Sequence, residues 1–262
     1  MVLTRIATNS GLSHLRRLRA QLAARRLRSY EVRVCRQFQA VVTVSEHDRR
    51  ILAYHSRRDH IVAVPNGVDA QYFRPLSKIP SNQAEILFAG SLFWWPNVDA
   101  VQHFCTAIFP LIRQDCADTR LSIVGQGAPP SIEWLGALPG VTMVGRVEDL
   151  RPYYARAAIC VVPLRSGSGT RLRILEAMAM AKPVVSTTIG SEGLAAKDGV
   201  HLLTADTPED FARQVVALLR NPSLRRTLGR SARALVEDQY QWSNIVPKLE
   251  EVYMRVGQGE HS

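Results

Sequence analysis

Gly167, Ser168, Gly169, Thr170 and Arg171, with Glu176 five residues further on, are the residues of this chain best equipped to hold a phosphate and a sugar ring. The two glycines let the backbone bend and approach a ligand closely, and Ser168 and Thr170 are good helix-capping residues. A helix starting near Thr170 points free N–H groups and the positive end of its dipole at the loop, where Arg171 adds a full charge. Glu176 falls about one and a half turns into that helix. Its neighbours Leu172, Ile174, Leu175, Ala177, Met178 and Ala179 are too apolar for a mostly solvated face. A carboxylate so placed can accept hydrogen bonds from a ribose, and the expected occupant is a nucleoside diphosphate. The plainer reading is an ordinary strand-loop-helix crossover with a surface arginine and a surface glutamate, and a lone glycine-rich turn does not choose between the two.

The elements around this loop repeat its pattern. Short apolar runs at Glu85 to Ala89, Leu121 to Val124, Val141 to Val144, Ile159 to Val162, Pro183 to Ser186 and His201 to Leu203 read as strands. Helical patterns alternate with them, clearest at Val98 to Gln114, Leu150 to Ala157 and Thr170 to Met180, and three more follow from Pro208 to Arg255. This alternation predicts an α/β fold with a Rossmann-like, doubly wound parallel sheet. Gly90, Gly125, Gly127, Gly145, Gly167 and Gly169 each follow a strand end, so they should converge on one cleft outside the carboxyl ends of the strands.

Before residue 85 the pattern is thinner. Val41 to Val44 and Ile61 to Val64 read as strands flanking a helix from Glu46 to Tyr54 capped by Ser45, then comes a turn at Pro65 to Asp69, and residues 70 to 84 read as a linker. We therefore expect residues 1–75 to be the remnant of a second Rossmann-like domain. Residues 76–240 would form the ligand-binding domain, and residues 241–262 a crossover helix and tail.

With 262 residues and 46% hydrophobic content the chain can bury a sizeable core. It has no run of eighteen apolar residues and no signal-peptide pattern at Met1, so a cytoplasmic protein is expected. Cys35, Cys105, Cys116 and Cys160 form no CxxC pair and have no histidine at ligand spacing, so we expect reduced thiols, no metal and no cofactor. The net charge of +10 favours phosphate-bearing partners. Much of it lies in Arg16, Arg17, Arg19, Arg25, Arg26, Arg28, Arg33 and Arg36, interleaved with Leu12, Leu15, Leu18, Leu22, Leu27, Tyr30 and Val34 at roughly helical spacing. This predicts a basic amphipathic helix packed on the domain, or alternatively resting weakly on the inner face of an anionic membrane. Tyr30 alone among aromatic residues interleaves with these arginines, too few for a row of stacking platforms, which argues against nucleic acid.

Taken in order, VVTVSEHD (41–48), VPNGVDAQYF (64–73), ILFAGSL (86–92), LSIVGQG (121–127), VTMVGRVEDLRPYY (141–154), GSGTRLRILEAMAMAKPVVSTTIGSEGL (167–194) and the helix around Trp242 resemble the glycosyltransferases of the GT-B fold, family 4 or group 1. The GSGTRL form, with WWPNVDAV at 94–101, is similar to sugar transferases that build bacterial surface polysaccharides. The resemblance implies two Rossmann-like domains facing across a cleft, the C-terminal one holding a nucleotide-sugar donor and the pair transferring a hexose, with retention, to a glycan or lipid-linked acceptor.

By motif, Glu176 corresponds to the second glutamate of a Glu-x7-Glu signature and would bind the ribose. Gly167 to Thr170 would face diphosphate and sugar, the backbone at Val144, Gly145 and Arg146 would frame the base, and Gly90, Ser91, Arg171 and Leu175 would complete the donor site. Ser168 stands where the signature has its first glutamate, so the catalytic residues stay unassigned. Ser91 and Asn97 replace the basic residues that commonly clamp the diphosphate, which leaves that charge to Arg171. Two full domains need roughly 150–200 residues each, so the chain is expected to begin partway through the first. The competing expectation is a noncatalytic nucleotide-sugar-binding module or partner subunit. A sugar-nucleotide epimerase is disfavoured by the PNGVD turn and the GSGTRL loop.

Overall fold

The computed structural model describes residues 14–167 and 169–258. Six parallel strands form the main sheet: β3 (Glu85–Ala89), β4 (Arg120–Val124), β5 (Val141–Gly145), β6 (Ile159–Val162), β7 (Val184–Ser186) and β8 (Leu203–Thr204), in spatial order β5-β4-β3-β6-β7-β8. Successive residues of β3 serve opposite faces. Ile86 and Phe88 join a core with Phe104, Ile112 and Phe211, while Leu87 joins one with Cys160, Ile174 and Leu235. A sheet buried on both faces explains why these strands read as continuous apolar runs rather than alternating ones.

The first face is covered by α3 (Trp95–His103), α4 (Phe109–Asp115) and α7 (Pro208–Arg220), the second by α5 (Arg151–Arg156), α6 (Leu172–Ala179) and α8 (Pro222–Gln239). The single helix expected from Val98 to Gln114 is broken between α3 and α4 by a π turn at Phe104–Ile108. Pro110 has no N–H to give the carbonyl of residue 106, so the regular ladder cannot run through. The wider turn still keeps Phe104, Cys105, Ile108 and Phe109 in the core. Burial pushes the Cys105 and Cys160 thiols up to about 12, leaving both as inert core residues.

The N-terminal part is smaller. α1 (His14–Cys35) leads to β1 (Val41–Thr43), α2 (Glu46–Ser56) and β2 (Ile61–Ala63), and β1 pairs parallel with β2. Ser45 caps α2, accepting from the Asp48 N–H at 3.1 Å. α9 (Trp242–Gly257) crosses back to this unit, and its Ile245 and Val252 share a small core with Val64. The segment expected as a linker lacks regular structure but is tied down: Ala70 is buried, and Phe73 and Leu76 pack against the main body.

The basic helix departs from expectation. Leu18, Leu22, Leu27 and Tyr30 are all exposed, while near the end of the helix Cys35 is buried and Arg36 Nε donates to the Ser56 carbonyl at 3.3 Å. At about 100° per residue, Arg25, Arg26 and Arg33 fall on the same side as Leu18 and Leu22, so no clean apolar stripe exists to bury. Leu12 lies outside the described residues, and no helix among the described residues is long and apolar enough to cross a membrane.

Candidate functional site

The ends of β3, β4 and β5 meet at Gly90, Gly125 and Gly145 as the glycine spacing predicts, whereas Gly127 lies against Phe93 and does not line the cleft. Gly90 follows β3 and Gly125 follows β4, packed so tightly that a Cβ on Gly125 would run into the Gly90 carbonyl oxygen. The Gly125 N–H donates to the Gly145 carbonyl at 2.9 Å, which fixes the end of β5 beside them. Asn97 holds the turn after β3 by donating from Nδ2 to the Ser91 carbonyl at 2.8 Å.

These ends border a cleft of about 210 Å³ lined by Gly90, Ser91, Val124, Gly125, Gln126, Arg146, Val147, Leu150 and Arg173. Its position outside the carboxyl ends of β3, β4 and β5 is where ligands bind in such sheets. A larger hollow, about 510 Å³ around Arg113 and Gly140, lies at the opposite ends of the strands, away from the carboxyl ends where ligands bind in such sheets.

Glu176 sits on α6 at 9% exposure. Its carboxylate accepts from Arg173 Nη1 at 2.8 and 2.6 Å, one contact to each oxygen, and from the Tyr154 hydroxyl at 3.0 Å. Tyr154 is itself buried, and burial followed by the charge of Glu176 pushes its phenol well above its ordinary value, so the hydroxyl is a dependable donor. A charged group this deep needs such partners, because unpaired burial costs far more than the pair recovers.

The glycine loop is built differently from expectation. α6 begins at Leu172, two residues after Thr170, and its N-cap is Arg171, whose side chain makes no capping bond. Thr170 turns its hydroxyl away and donates to the Val44 carbonyl at 3.0 Å, tying the loop to the N-terminal unit. Arg171 folds back on the loop: Nη1 donates to the Gly169 carbonyl at 2.9 Å, and the guanidinium lies 5.2 Å from the centre of the Trp94 ring. Gly169 takes φ of +79°, a left-handed conformation that suits glycine. Ser168 lies outside the described residues.

Of the residues expected at the site, Gly90, Ser91 and Arg146 line the cleft, with Val144 and Gly145 ending the strand that leads to Arg146. Gly167, Gly169, Thr170 and Arg171 form the neighbouring loop. Leu175 is fully buried in the core, so its side chain packs beneath the site and presents no surface to a ligand. Sequence reasoning passed over Arg173 and Tyr154. Arg173 was legible as an i, i+3 partner of Glu176 on the same helix. Tyr154, from a distant element, carried no such signal.

A family model described as glycosyl transferases group 1 matches residues 83–221, more than half of the chain and nearly all of the six-stranded unit. The chain belongs to the group 1 glycosyl transferases. Among the relatives of this glycosyl transferase is a D-inositol 3-phosphate glycosyltransferase of Nocardiopsis dassonvillei, 26% identical over 253 residues, covering 87% of this chain and 58% of the relative. A protein of unassigned role in the cps region of Klebsiella pneumoniae is 24% identical over 194 residues, covering 71% and 50%. The chain thus spans about half the length of the curated relatives it matches. The fold is the Rossmann-like one of the GT-B glycosyltransferases. It is shared with Anabaena HepE, solved in complex with UDP and glucose, at a TM-score of 0.72 and 16% identity over 85% of this chain and 65% of HepE.

Proposed function

We propose that this chain is the donor-binding half of a retaining glycosyltransferase, which takes a hexose from a nucleotide-diphosphate sugar and passes it to a glycan or lipid-linked acceptor in surface-polysaccharide synthesis. The observation that carries the reading is the buried, firmly held carboxylate of Glu176 beside a cleft of strand-end glycines. In this reading the ribose hydroxyls donate to Glu176, and the base lies against the end of β5 at Val144, Gly145 and Arg146. The diphosphate faces the start of α6, whose N–H groups and dipole oppose the charge that builds on the leaving group. Arg171, clasped between Trp94 and the Gly169 carbonyl, shapes the loop. The ligand in HepE and the cps location of the Klebsiella relative support the donor class and the polysaccharide role.

Among the described residues no group of three or more His, Cys, Asp or Glu could hold a metal ion. The basic helix α1 suits attachment to the inner face of an anionic membrane, where a lipid-linked acceptor would reside. A noncatalytic donor-binding module is the second reading, favoured by Ser168 in place of the signature's first carboxylate. Calorimetry with UDP, GDP and ADP followed by a donor-hydrolysis assay tests both. Tight binding of one diphosphate with hydrolysis supports the enzyme, tight binding without hydrolysis supports the module, and binding of none refutes the donor site.

A further inference from the structure

Glu176 is nearly saturated before any ligand arrives. A carboxylate offers about four lone-pair sites, and three contacts, two from Arg173 Nη1 and one from the Tyr154 hydroxyl, already occupy them. The two vicinal hydroxyls of a ribose need two acceptor sites, so one existing contact has to yield. Burial decides which. Tyr154 is 1% exposed and fixed in the core, whereas the Arg173 side chain is 44% exposed and borders the cleft.

The charge at the start of α6 indicates where the released guanidinium goes. The first turn of the helix contains no acidic residue, its N-cap is an arginine without a capping bond, and Arg173 is its second residue. Cations at that end are disfavoured by the helix dipole, and an anion seated there is attracted by both the dipole and the cations. Arg146 borders the same cleft. At the end of β3 the cleft offers only neutral groups, Ser91 and the Asn97 amide bonded to it, and Arg171 is turned under Trp94.

We propose that Arg173 is the diphosphate-binding arginine of this site. Its guanidinium passes from Glu176 to the diphosphate as the donor enters, and the vacated carboxylate positions receive the ribose hydroxyls. The inference rests on the donor-site reading given above. It makes one side chain the link between recognition of the ribose and recognition of the phosphates.

The test compares the wild-type chain with Arg173→Gln and Arg173→Lys. UDP, GDP and ADP are titrated by calorimetry to find the preferred base, and the matching nucleoside without phosphate is titrated by ligand-observed NMR. Arg173→Gln should weaken the diphosphate by at least about tenfold and the nucleoside by less than about threefold, because a charge-assisted contact to phosphate is lost while Glu176 remains. Arg173→Lys should recover most of the diphosphate affinity. Equal losses for nucleoside and diphosphate would show that Arg173 only positions Glu176 and would overturn the proposal, as would unchanged affinity in Arg173→Gln. Wild-type protein that binds none of the three diphosphates removes the donor-site reading and this inference with it. Binding by the wild type with no response to substitution removes this inference alone. Because the Arg173 side chain is half exposed, both variants should fold, which their thermal unfolding curves will show.

Discussion

Replacing Glu176 by Gln keeps the side-chain volume and removes the charge, so its effect isolates what the carboxylate gives a ribose. A hydrogen bond to a charged group contributes about 1.5–3 kcal/mol and a neutral one about 0.5–1.5 kcal/mol. The substitution should therefore cost about 1–1.5 kcal/mol for each hydroxyl the carboxylate receives. With Arg173 still in place there is room for one hydroxyl, and the loss is roughly five- to twelvefold. With Arg173 displaced there is room for two, and the loss is roughly thirty- to 150-fold. The assay is a double comparison: wild type and Glu176→Gln, each titrated with the preferred nucleoside diphosphate and with its dideoxy analogue lacking both ribose hydroxyls. The wild type should discriminate between the two ligands, and the variant should lose most of that discrimination while binding the dideoxy analogue nearly as well as the wild type does. If Glu176→Gln discriminates as strongly as the wild type, the carboxylate does not read the ribose and the site has been placed on the wrong residue.

Gly125→Ala forces a Cβ into the Gly90 carbonyl, and the backbones at the cleft floor must separate. Overpacking of this kind costs about 1–3 kcal/mol, so calorimetry should show a melting temperature lower by roughly 3–10 °C together with weakened nucleotide binding. His103 gives a pH signature. Burial and then the charge of Arg165 hold its imidazole below its ordinary value, with Asp99 pulling the other way. Its contribution to stability is therefore fully present above the unfolded-state value near 6.5 and is lost as the unfolded chain takes up the proton at lower pH. Melting temperatures should rise from pH 5 to pH 7 in the wild type and rise less in His103→Gln, and equal slopes would count against this assignment. Vesicles containing anionic lipid should capture the chain at low salt and release it at high salt, since exposed charges are screened within about 10 Å at 0.1 M. Capture that ignores salt, or that survives replacement of Arg19, Arg25, Arg26, Arg28 and Arg33, would remove the membrane role of α1.

The main sheet was legible because a strand buried on both faces has to be apolar throughout. Glu85 to Ala89 and Ile159 to Val162 were readable to the residue for that reason. The cleft was legible through Gly90, Gly125 and Gly145, where close backbone approach leaves no room for a larger residue or demands a left-handed turn. The π turn was harder, since the apolar spacing around Phe104 suits one continuous helix and only Pro110 hints at the break. The loop at Thr170 misled because a threonine before an apolar run looks like a cap, while its hydroxyl is claimed by Val44, 126 residues away in sequence. α1 misled for the opposite reason: leucines at nearly helical spacing suggest a buried stripe, yet the arginines share their side of the helix. The partners of Glu176 divide along the same line, Arg173 being visible one turn away and Tyr154 only in three dimensions.

The Thr170 to Val44 bond joins the two units at the loop proposed to seat the diphosphate. It is a single hydrogen bond, worth about 0.5–1.5 kcal/mol, so it is strong enough to register and weak enough to break within the working cycle of an enzyme. A rotation of the two-stranded unit against the six-stranded one loads this bond together with the contact of His47 with Glu192 at 3.7 Å, which also spans the units. If the donor site is as proposed, the loop would act as a strain gauge, passing the angle between the units to the phosphate seat without a ligand having to touch both.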